Sequence, residues 1–402
     1  MIEIKNKKDC CGCSACANAC PKHCITMQED NEGFLYPFVD KDICVNCGLC
    51  EKVCPIKNEI LVSKLPSQKA FVVQNKDQEI LRESTSGGAF SAIAKWVISR
   101  GGVVFGARLN DNFEVEHIFV EKIEDLKLFR NSKYVQSKMG KAFEQAKEYL
   151  ENQRLVLFSG TGCQLEGLFH YLRKPYENLY TIDVVCRAVP SPLVLRKYLE
   201  MQRKRGLKIN DIKFRNKTHG YKYSTMSLFT SNNLDYHEGI DTDVYLRAFF
   251  SGMSFRPSCS DCKFRKQYRR TDMTIWDCFT IGEFSKELDD DRGATRILTH
   301  SARAAQIIRG LSDDLKIVEI NVDDAIRGVK ELTEGPKAHP LRDAFFKDLN
   351  TQPVDEVFSK YFPITLRHHL EKQARLWSNR LGVYKIAKKI FKLLHGNRDV
   401  KR

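Results

Sequence analysis

The sequence predicts an α+β or α/β chain in three parts: a small cysteine-rich domain, a larger mixed α/β region and a basic helical tail. Three observations support this prediction. Ten of the fifteen cysteines lie before residue 55, β-rich stretches alternate with helical periodicity from residue 70 onward, and eleven Lys and Arg residues lie within residues 367–402. The predicted domain boundaries are 1–58, 68–145, 146–335 and 360–402.

Composition is that of a soluble globular protein. Hydrophobic residues make up 42% and charged residues 29% of the 402 residues, which excludes disordered and collagen-like classes. No apolar run approaches the ~20 residues of a membrane span, and the first eight residues lack the apolar core of a secretory signal. We therefore expect a cytoplasmic protein, in which thiols stay reduced. Fifteen cysteines then indicate metal binding or redox chemistry.

The positive charge is concentrated in the tail. The formal net charge is +14, and residues 367–402 contribute +9 of it, because their eleven basic residues face only Glu371 and Asp399. The first 366 residues therefore carry only +5. No basic stretch is interleaved with aromatic residues, so a zinc-dependent nucleic-acid-binding protein is disfavoured and no nucleic-acid partner is expected.

One cysteine motif occurs twice in the first domain. Its spacing, C-x2-C-x2-C-x3-C-P, is typical of bacterial ferredoxins, in which the fourth cysteine of each run ligates the other cluster. The sequence therefore predicts two [4Fe–4S] clusters with crossed ligation. The expected ligands of cluster I are Cys10, Cys13, Cys16 and Cys54, and those of cluster II are Cys44, Cys47, Cys50 and Cys20.

Two zinc sites are the alternative, since zinc also accepts four thiolates. Zinc knuckles do not usually repeat a three-then-one spacing followed by proline, which favours iron–sulfur clusters. Cys11 and Cys24 lie off the repeat and are expected to be packed bystanders. The domain has few large apolar side chains, so we expect the clusters to supply much of its folding free energy.

After a linker at residues 57–68, strands and helices alternate. The alternation predicts a mixed sheet covered by helices. The predicted strands are Ala70–Gln74, Val103–Ala107, Val115–Val120, Leu155–Phe158 and Leu179–Val185. The predicted helices are Gly88–Ser99, Lys141–Glu151 and Cys163–Leu172.

Two loops that precede predicted helices could hold the phosphates of a cofactor. Glycines and a helix start let backbone N–H groups converge on an anion. The candidate residues are Ser84, Ser86, Gly87 and Gly88 in the first loop and Gly160, Thr161, Gly162 and Gln164 in the second. Neither loop carries a G-x-G-x-x-G or Walker pattern. For the first loop a helix cap with a flexible turn is equally open.

Four further cysteines could form a third site, namely Cys163, Cys186, Cys259 and Cys262. Cys163 and Cys186 follow predicted strands, whereas Cys259 and Cys262 form one short pair. The spacing alone leaves open a third metal centre, which could be a structural zinc, and packed cysteines without a metal. Cys278 is the reserve candidate. No catalytic residue is identified.

The chain resembles the coenzyme F420 hydrogenase/dehydrogenase beta-subunit family, in the form that carries an N-terminal two-cluster ferredoxin domain. The matching segments are Ser84–Gly88, Lys133–Ser137, Phe158–Gln164, Asp183–Pro192 and Pro257–Phe264. The resemblance implies a flavoprotein-like domain with FAD, and a third [4Fe–4S] cluster on the four dispersed cysteines. It also implies electron exchange with a partner such as a ferredoxin or reductase, and with the deazaflavin coenzyme F420 or another two-electron acceptor.

Some residues depart from the family pattern. Members often have C-H-G-V-P where this chain has Cys186-Arg187-Ala188-Val189-Pro190, and a glycine where it has Trp276. These departures disfavour coenzyme F420 as the substrate. The resemblance further implies a setting in bacterial surface-polysaccharide biosynthesis. The alternative function is an electron-transfer or assembly module that serves a partner enzyme without chemistry of its own.

Basic side chains and the tail complete the predictions. Candidates for binding an anionic substrate or flavin are Lys133, Arg215, Lys217, His219 and Arg256. In the tail, Val383–Leu394 is predicted as an amphipathic helix with lysines on one face. It is expected either to dock on the protein body or to lie weakly on anionic lipid at the inner face of the membrane.

Overall fold

The structure of the protein, a computed structural model, describes residues 1–63, 65 and 67–381. They divide into two units, one formed by residues 1–193 and 255–338 and the other by residues 194–254 with the described part of 339–402. The predicted amphipathic helix at Val383–Leu394 lies outside the described residues. Within them, no helix combines the length and apolar composition that crossing a bilayer requires.

The cysteine-rich domain contains two short helices and one hairpin. Helices α1 (Ala15–Asn18) and α2 (Leu49–Lys52) occupy equivalent places in the cysteine repeat. Strands β1 (Ile25–Glu29) and β2 (Leu35–Val39) pair antiparallel between them, with Ile25 opposite Val39. A small core of Ile2, Ile25 and three cysteines holds this domain together.

An eight-stranded mixed sheet forms the rest of the first unit. Its strands are β3 (Lys69–Asn75), β4 (Val103–Leu109), β5 (Val115–Val120), β6 (Val156–Thr161), β7 (Leu179–Val184), β11 (Met273–Asp277), β12 (Thr295–Thr299) and β13 (Leu315–Ile320). The spatial order is β13-β3-β12-β11-β7-β6-β4-β5. Strands β4, β6, β7 and β11 are parallel neighbours, so their carboxyl ends meet at one edge of the sheet.

Helices cover both faces of this sheet. They are α3 (Gln78–Glu83), α4 (Ala89–Ile98), α5 (Ala142–Glu151), α6 (Gly162–Leu172), α9 (Ala302–Arg309) and α10 (Val322–Ile326). Along β4 the side chains alternate between the faces, as a strand requires. Val104 packs in the core that contains α4 and α9, whereas Val103 and Phe105 pack in the core that contains α5 and α6.

The second unit contains helices and a separate three-stranded antiparallel sheet. Its strands are β8 (Ile209–Asn216), β9 (Thr225–Thr230) and β10 (Tyr236–Gly239). Its helices are α7 (Pro192–Lys204), which begins at the end of the first unit, α8 (Val244–Phe250), α11 (Arg342–Thr351), α12 (Val354–Tyr361) and α13 (Leu366–Arg380). Buried Asp243 caps α8 and accepts hydrogen bonds from Tyr198 (2.7 Å) and Tyr236 (3.0 Å). Burial raises the pKa of Asp243 to about 6.

The predicted mixed sheet covered by helices is confirmed. All five predicted strands are present as β3 to β7, and the three predicted helices are α4, α5 and α6, with ends that differ by at most three residues. The sheet crosses the predicted boundary at residues 145 and 146, because strands from both sides pair in it. Residues 194–254, predicted within 146–335, leave this sheet for the second unit.

Candidate metal centres

The thiols expected to bind cluster II line one small cavity. Cys20 enters it from the first half of the repeat, together with Cys44, Cys47 and Cys50 from the second half. The backbone N–H of Ile2 donates to Cys50 Sγ at 3.2 Å. Thiols with N–H donors around them are what an iron–sulfur cluster uses, so the residues present fit the predicted group.

Cys24 also lines this cavity, although it lies off the repeat. Its sulfur is 3.4 Å from that of Cys20, and the pair is buried. The prediction of a packed bystander therefore left out its position beside the cluster II cysteines. Only its distance of four residues from Cys20 hinted at this neighbourhood.

The thiols expected to bind cluster I also lie together. Burial raises the pKa of Cys16, and the neighbouring thiols of Cys10 and Cys54 raise it further. Cys54 comes from the second half of the repeat, so it lies where crossed ligation requires it. Burial raises the pKa of Cys10 as well, and the nearby backbone N–H groups of Gly12 and Ala17 partly offset the rise for Cys10 and Cys16; thiols beside N–H groups suit a cluster.

Small residues bring the cluster I half of the repeat against the sheet-covering helices. Cys13 and Ala15 are part of the core that contains Phe143 and Leu165. A Cβ atom at Gly167 of α6 would lie 2.8 Å from Cys13 Cβ, so only glycine fits there. Asn18 Nδ2 donates to the carbonyl oxygen of Gly140 at 2.9 Å. The cysteine-rich domain therefore gains core contacts beyond its own few apolar side chains.

Arg256 joins cluster I to the loop that carries Cys259. Its side chain is only 1% exposed. Nε donates to the carbonyl oxygen of Cys10 at 2.8 Å, one terminal nitrogen donates to Gln136 Oε1 at 3.1 Å, and the other donates to the carbonyl oxygen of Leu35 at 3.0 Å. The guanidinium also lies 4.2 Å from the centre of the Tyr36 ring.

The prediction that Arg256 binds an anionic substrate is therefore wrong, because its donors are used inside the fold. Lys133, another candidate, donates to the carbonyl oxygens of Leu128 and Arg130. Arg215, Lys217 and His219 belong to the second unit, whereas all the cysteine sites belong to the first.

The dispersed cysteines meet at the carboxyl edge of the sheet. Cys163 is the second residue of α6, after β6, and Cys186 follows β7. Burial raises the pKa of Cys186, and the neighbouring thiols of Cys259, Cys163 and Cys262 raise it further. The backbone N–H of Val189 donates to Cys259 Sγ at 3.4 Å. The fold therefore brings together four thiols that are spread over almost 100 residues of the sequence.

Cys278, the reserve candidate, lies in a different core. It is fully buried with Val72, Ile281 and Leu288, and Arg296 Nε donates to its sulfur at 3.4 Å.

In the described part of the chain, no three or more Cys, His, Asp or Glu side chains are already arranged to hold a metal ion.

Cys11 connects the dispersed set with the ferredoxin-like repeat. The neighbouring thiol of Cys13 raises the pKa of Cys11, and Cys11 in turn raises the pKa of Cys163. The sequence predicted a bystander, since Cys11 is outside the repeat and no spacing relates it to Cys163. The structure places this packed cysteine beside Cys13 and Cys163, one from each group.

The first predicted phosphate loop is engaged with the sheet. Ser86 Oγ donates to the carbonyl oxygen of Ala294 at 2.6 Å, and the N–H of Gly87 donates to Thr295 Oγ1 at 2.8 Å. A Cβ atom on Gly87 would lie 2.6 Å from the Thr295 nitrogen. These contacts favour a packing role for Ser86 and Gly87, because the donors offered to a phosphate are already used. Ser84 is buried, and Gly88 has φ of 75° at the start of α4.

In the second loop, Thr161 and Gln164 form a capping box at the start of α6. Thr161 N–H donates to Gln164 Oε1 at 2.9 Å, and Gln164 Nε2 donates to Ser137 Oγ at 2.8 Å. Gly160 lies against Gln164, whereas Gly162 has room for a Cβ atom. The first loop bonds to β12, so β11 and β7 lie between it and this loop, which corresponds to about 14 Å. One diphosphate therefore cannot contact both loops.

The described cysteine sites agree with comparisons to known families. Residues 9–58 match the 4Fe-4S dicluster domain, and residues 153–325 match the family described as the C terminus of the coenzyme F420 hydrogenase/dehydrogenase beta subunit. The chain therefore carries an N-terminal domain of the 4Fe-4S dicluster family, followed by a region that is similar to the C terminus of the beta subunit. It is therefore an iron–sulfur electron-transfer module of the oxidoreductase type.

Individual relatives cover parts of the chain. A protein of the F(420)H(2) dehydrogenase of Methanosarcina mazei is 27% identical over 174 residues, which are 41% of this chain and 49% of the relative. This chain thus matches about half the length of that protein. A ferredoxin (7Fe) of Hydrogenibacillus schlegelii is 32% identical over 65 residues, 16% of this chain and 77% of the ferredoxin.

A solved structure is similar over a larger share of the chain. It is a chain in a structure of the F420-reducing [NiFe] hydrogenase complex from Methanosarcina barkeri. Its TM-score is 0.45 at 14% identity, with 75% of this chain and 94% of that chain covered.

Proposed function

We propose that this chain is an oxidoreductase subunit that relays electrons through three groups of cysteines to a two-electron acceptor at the carboxyl edge of the sheet. The outer group is Cys20, Cys44, Cys47 and Cys50. The inner group is Cys10, Cys13, Cys16 and Cys54. The third group is Cys163, Cys186, Cys259 and Cys262, and each group would hold one [4Fe–4S] cluster.

The close packing of Cys13 against Gly167 of α6, the helix whose second residue is Cys163, carries this proposal. It brings the inner group next to the third group, so that no gap in the fold separates them. Exposure supports the order of the relay. Among the twelve cysteines of the three groups, all of them described, Cys47 of the outer group is the one that is exposed. A partner such as a ferredoxin or reductase would therefore approach the outer group.

The acceptor is proposed to bind where β6, β7 and β11 end, since ligands of parallel sheets lie at the carboxyl ends of the strands. A flavin bound there would collect single electrons from the clusters and release them in pairs. Of the predicted FAD residues, Gly160, Thr161, Gly162 and Gln164 adjoin Cys163, whereas the loop of Ser84 and Gly88 lies about 14 Å away. FAD therefore stays a prediction that rests on the second loop.

The substrate is proposed more coarsely. The relative from Methanosarcina mazei is named for F420H2, which makes coenzyme F420 one candidate acceptor. Arg187 forms an ion pair with Glu331 at 3.1 Å beside Cys186, at the position where family members often have histidine. This difference favours another two-electron substrate. The surface-polysaccharide setting stays a prediction that gene neighbourhood and a deletion phenotype test.

Anaerobic purification followed by iron, sulfide and flavin analysis tests the relay. We expect ~12 iron atoms per chain and a bound flavin. Cys163→Ser should lose ~4 iron atoms, and the matched variant Cys278→Ser should keep them all, because Cys278 is equally a cysteine of the first unit but lies in another core. Full iron content in Cys163→Ser would contradict the third cluster.

Flavin content distinguishes the proposed enzyme from the alternative function, an electron-transfer module without chemistry of its own. If protein with all three clusters binds no flavin after reconstitution and reduces no acceptor by itself, the electron-transfer module without its own chemistry replaces the present proposal. Reduction of an acceptor by protein that keeps its clusters and flavin supports the enzyme.

A further inference from the structure

A chain of hydrogen-bonded side chains leads from strand β5 to Cys163. His117 of β5, Ser137 and Gln164 are all buried. Ser137 Oγ lies 2.9 Å from His117 Nδ1, and Gln164 Nε2 donates to Ser137 Oγ at 2.8 Å. At the other end of the chain, Thr161 Oγ1 lies 3.1 Å from Gln164 Oε1 and 3.1 Å from Cys163 Sγ.

The surroundings of His117 determine which atoms donate in this chain. Its Nε2 lies 3.0 Å from the carbonyl oxygen of Ser159, which can only accept, so this nitrogen carries the proton. Burial lowers the pKa of His117 to about 4, so the ring is neutral near pH 7 and Nδ1 accepts. Ser137 therefore donates to His117 and accepts from the amide nitrogen of Gln164. The amide oxygen of Gln164 is thereby held toward Thr161.

The hydroxyl group of Thr161 is consequently a donor. Gln164 Oε1 can only accept, and it also accepts the backbone N–H of Thr161 at 2.9 Å. A cysteine sulfur that binds a metal is a thiolate, which carries no proton and therefore also accepts. The hydroxyl proton of Thr161 thus has two acceptors at equal distance, and one of them is the sulfur of a proposed cluster ligand.

We propose that the Thr161 hydroxyl donates a hydrogen bond to Cys163 Sγ and thereby raises the reduction potential of the group held by the third set of cysteines. A hydrogen bond to a ligand sulfur stabilises the more negative, reduced state more than the oxidised state. Gln164 positions Thr161 for this bond, since Ser137 and His117 fix its amide. The inference rests on the proposed function, because it requires a cluster on Cys163. It is distinct from the phosphate contact predicted for this loop.

Thr161→Val in the full-length, cluster-loaded protein tests the hydrogen bond, because valine keeps the shape of the side chain and removes the hydroxyl. EPR spectra at a series of fixed potentials measure the clusters, and the signal that Cys163→Ser removes identifies the third one. We expect its reduction equilibrium to shift about fivefold to tenfold toward the oxidised form, where tenfold corresponds to 59 mV for one electron. Thr161→Ser keeps the hydroxyl and should restore the potential.

Thr161 also precedes the first residue of α6, so its loss weakens the start of that helix. The matched control is Ser301→Ala. Ser301 caps α9 of the same unit, and its hydroxyl donates to Asp272 Oδ1 at 2.8 Å. This variant should leave the potentials of all three clusters unchanged. An equal shift of the third potential in Ser301→Ala would overturn the inference, because the shift would then follow from helix capping in general.

Iron content separates failure of this inference from failure of the proposed relay. Full iron in Cys163→Ser would remove the third cluster and this inference with it. Full iron and an unchanged third potential in Thr161→Val would overturn the hydrogen bond alone.

Thr161→Ala removes the same hydroxyl with a smaller side chain and replaces Thr161→Val if the valine variant does not load three clusters. If neither variant loads them, ENDOR spectra of the unchanged protein in D2O decide. We expect an exchanged deuteron coupled to the reduced third cluster, and the absence of any such deuteron would overturn the inference.

Discussion

The two halves of the cysteine repeat have the same spacing but differ in the residues between the cysteines. In the first half these positions are small: Gly12, Ser14, Ala15, Ala17 and Ala19. In the second half the equivalent positions are Asn46, Gly48, Leu49, Glu51 and Val53. The first half packs against α6 and Arg256, whereas Cys47 of the second half is exposed.

The two halves of the repeat have the same backbone conformation although the side chains between their cysteines differ. The effect of the cysteine spacing can therefore be separated from the effect of those side chains. Gly12 and Asn46 both have positive φ, at 73° and 50°, and so do Ser14 and Gly48, at 62° and 72°. The cysteine spacing therefore determines the loop that surrounds a cluster. The side chains between the cysteines determine which half can approach the sheet-covering helices.

The largest effect is expected from replacing the cysteine that each half of the repeat contributes to the cluster of the other half. Cys54→Ser should remove the inner cluster and Cys20→Ser the outer one, because the fourth cysteine of each half serves the opposite group. Each variant should lose ~4 iron atoms. EPR spectra of the reduced variants identify the cluster that remains. If Cys20→Ser loses only the inner cluster, the crossed assignment is wrong.

A smaller effect, on the free energy of unfolding, is expected when Gly12 or Gly48, which have nearly equal positive φ, is replaced by alanine. A Cβ atom at Gly12 would lie 2.8 Å from an Arg256 nitrogen and closer still to Gln136 Nε2, whereas Gly48 has nothing within 4 Å. Gly48→Ala should cost only the left-handed strain of about 1–2 kcal/mol. Gly12→Ala should cost about 1–3 kcal/mol more, because both neighbours are buried.

Chemical unfolding of the cluster-loaded protein, followed by loss of cluster absorbance, measures both glycine variants. The difference between them isolates the contact with Arg256 and Gln136 from the backbone strain that they share. Equal destabilisation would show that the contact of the first half with the body contributes no stability.

The local part of this structure could be predicted from the sequence, and the long-range part could not. The cysteine repeat and the elements β3 to β7 follow from spacing and periodicity within short windows. The neighbours of Cys11 and Arg256 could not be predicted, because Cys163 and Cys10 lie 152 and 246 residues away from them. No periodic pattern records such a contact.

Contacts between residues far apart in the sequence also explain other differences between the prediction and the structure. Ser86 and Gly87 look like a phosphate loop in sequence, but the strand that uses their donors, β12, comes 208 residues later. Strand β8 is a different case, because Asp211, Lys213 and Arg215 alternate with Ile212 and Phe214 as in a half-buried strand, so a local signal for it is present. The departure of residues 194–254 from the large sheet depends on strand pairing, which is also non-local.

A third prediction compares the reduction potentials of the inner and outer clusters when the charge of Arg256 is removed. Arg256→Gln removes a buried positive charge beside Cys10, so we expect the reduction potential of the inner cluster to fall on the order of 50 mV. The outer cluster should change less. Removing the charge makes reduction harder, since a cluster becomes more negative when it accepts an electron. Redox titration monitored by EPR measures both potentials.

The matched control for this charge is Arg296→Gln. Arg296 is also buried, at 5% exposure, and donates to Cys278 Sγ and to the carbonyl oxygen of Ala325. Both variants should lose roughly 2–3 kcal/mol of stability with their charge-assisted hydrogen bonds. Only Arg256→Gln should shift the inner potential. Equal shifts in the two variants would indicate a general loss of structure rather than a local electrostatic effect.

The smallest expected effect concerns the rate at which the two clusters are lost. Cys47 is exposed and Cys44 is partly exposed, whereas Cys13 is buried against α6. Oxidants and chelators in solution should therefore reach the outer cluster first, and we expect it to be lost several-fold faster than the inner one under controlled oxygen exposure. Iron analysis and EPR at successive times measure this order. Gly12→Ala should reduce the difference, because it loosens the first half from the body, while Gly48→Ala should preserve it. Loss of the inner cluster first, in the unchanged protein, would contradict the assignment of the second half as the outer side of the relay.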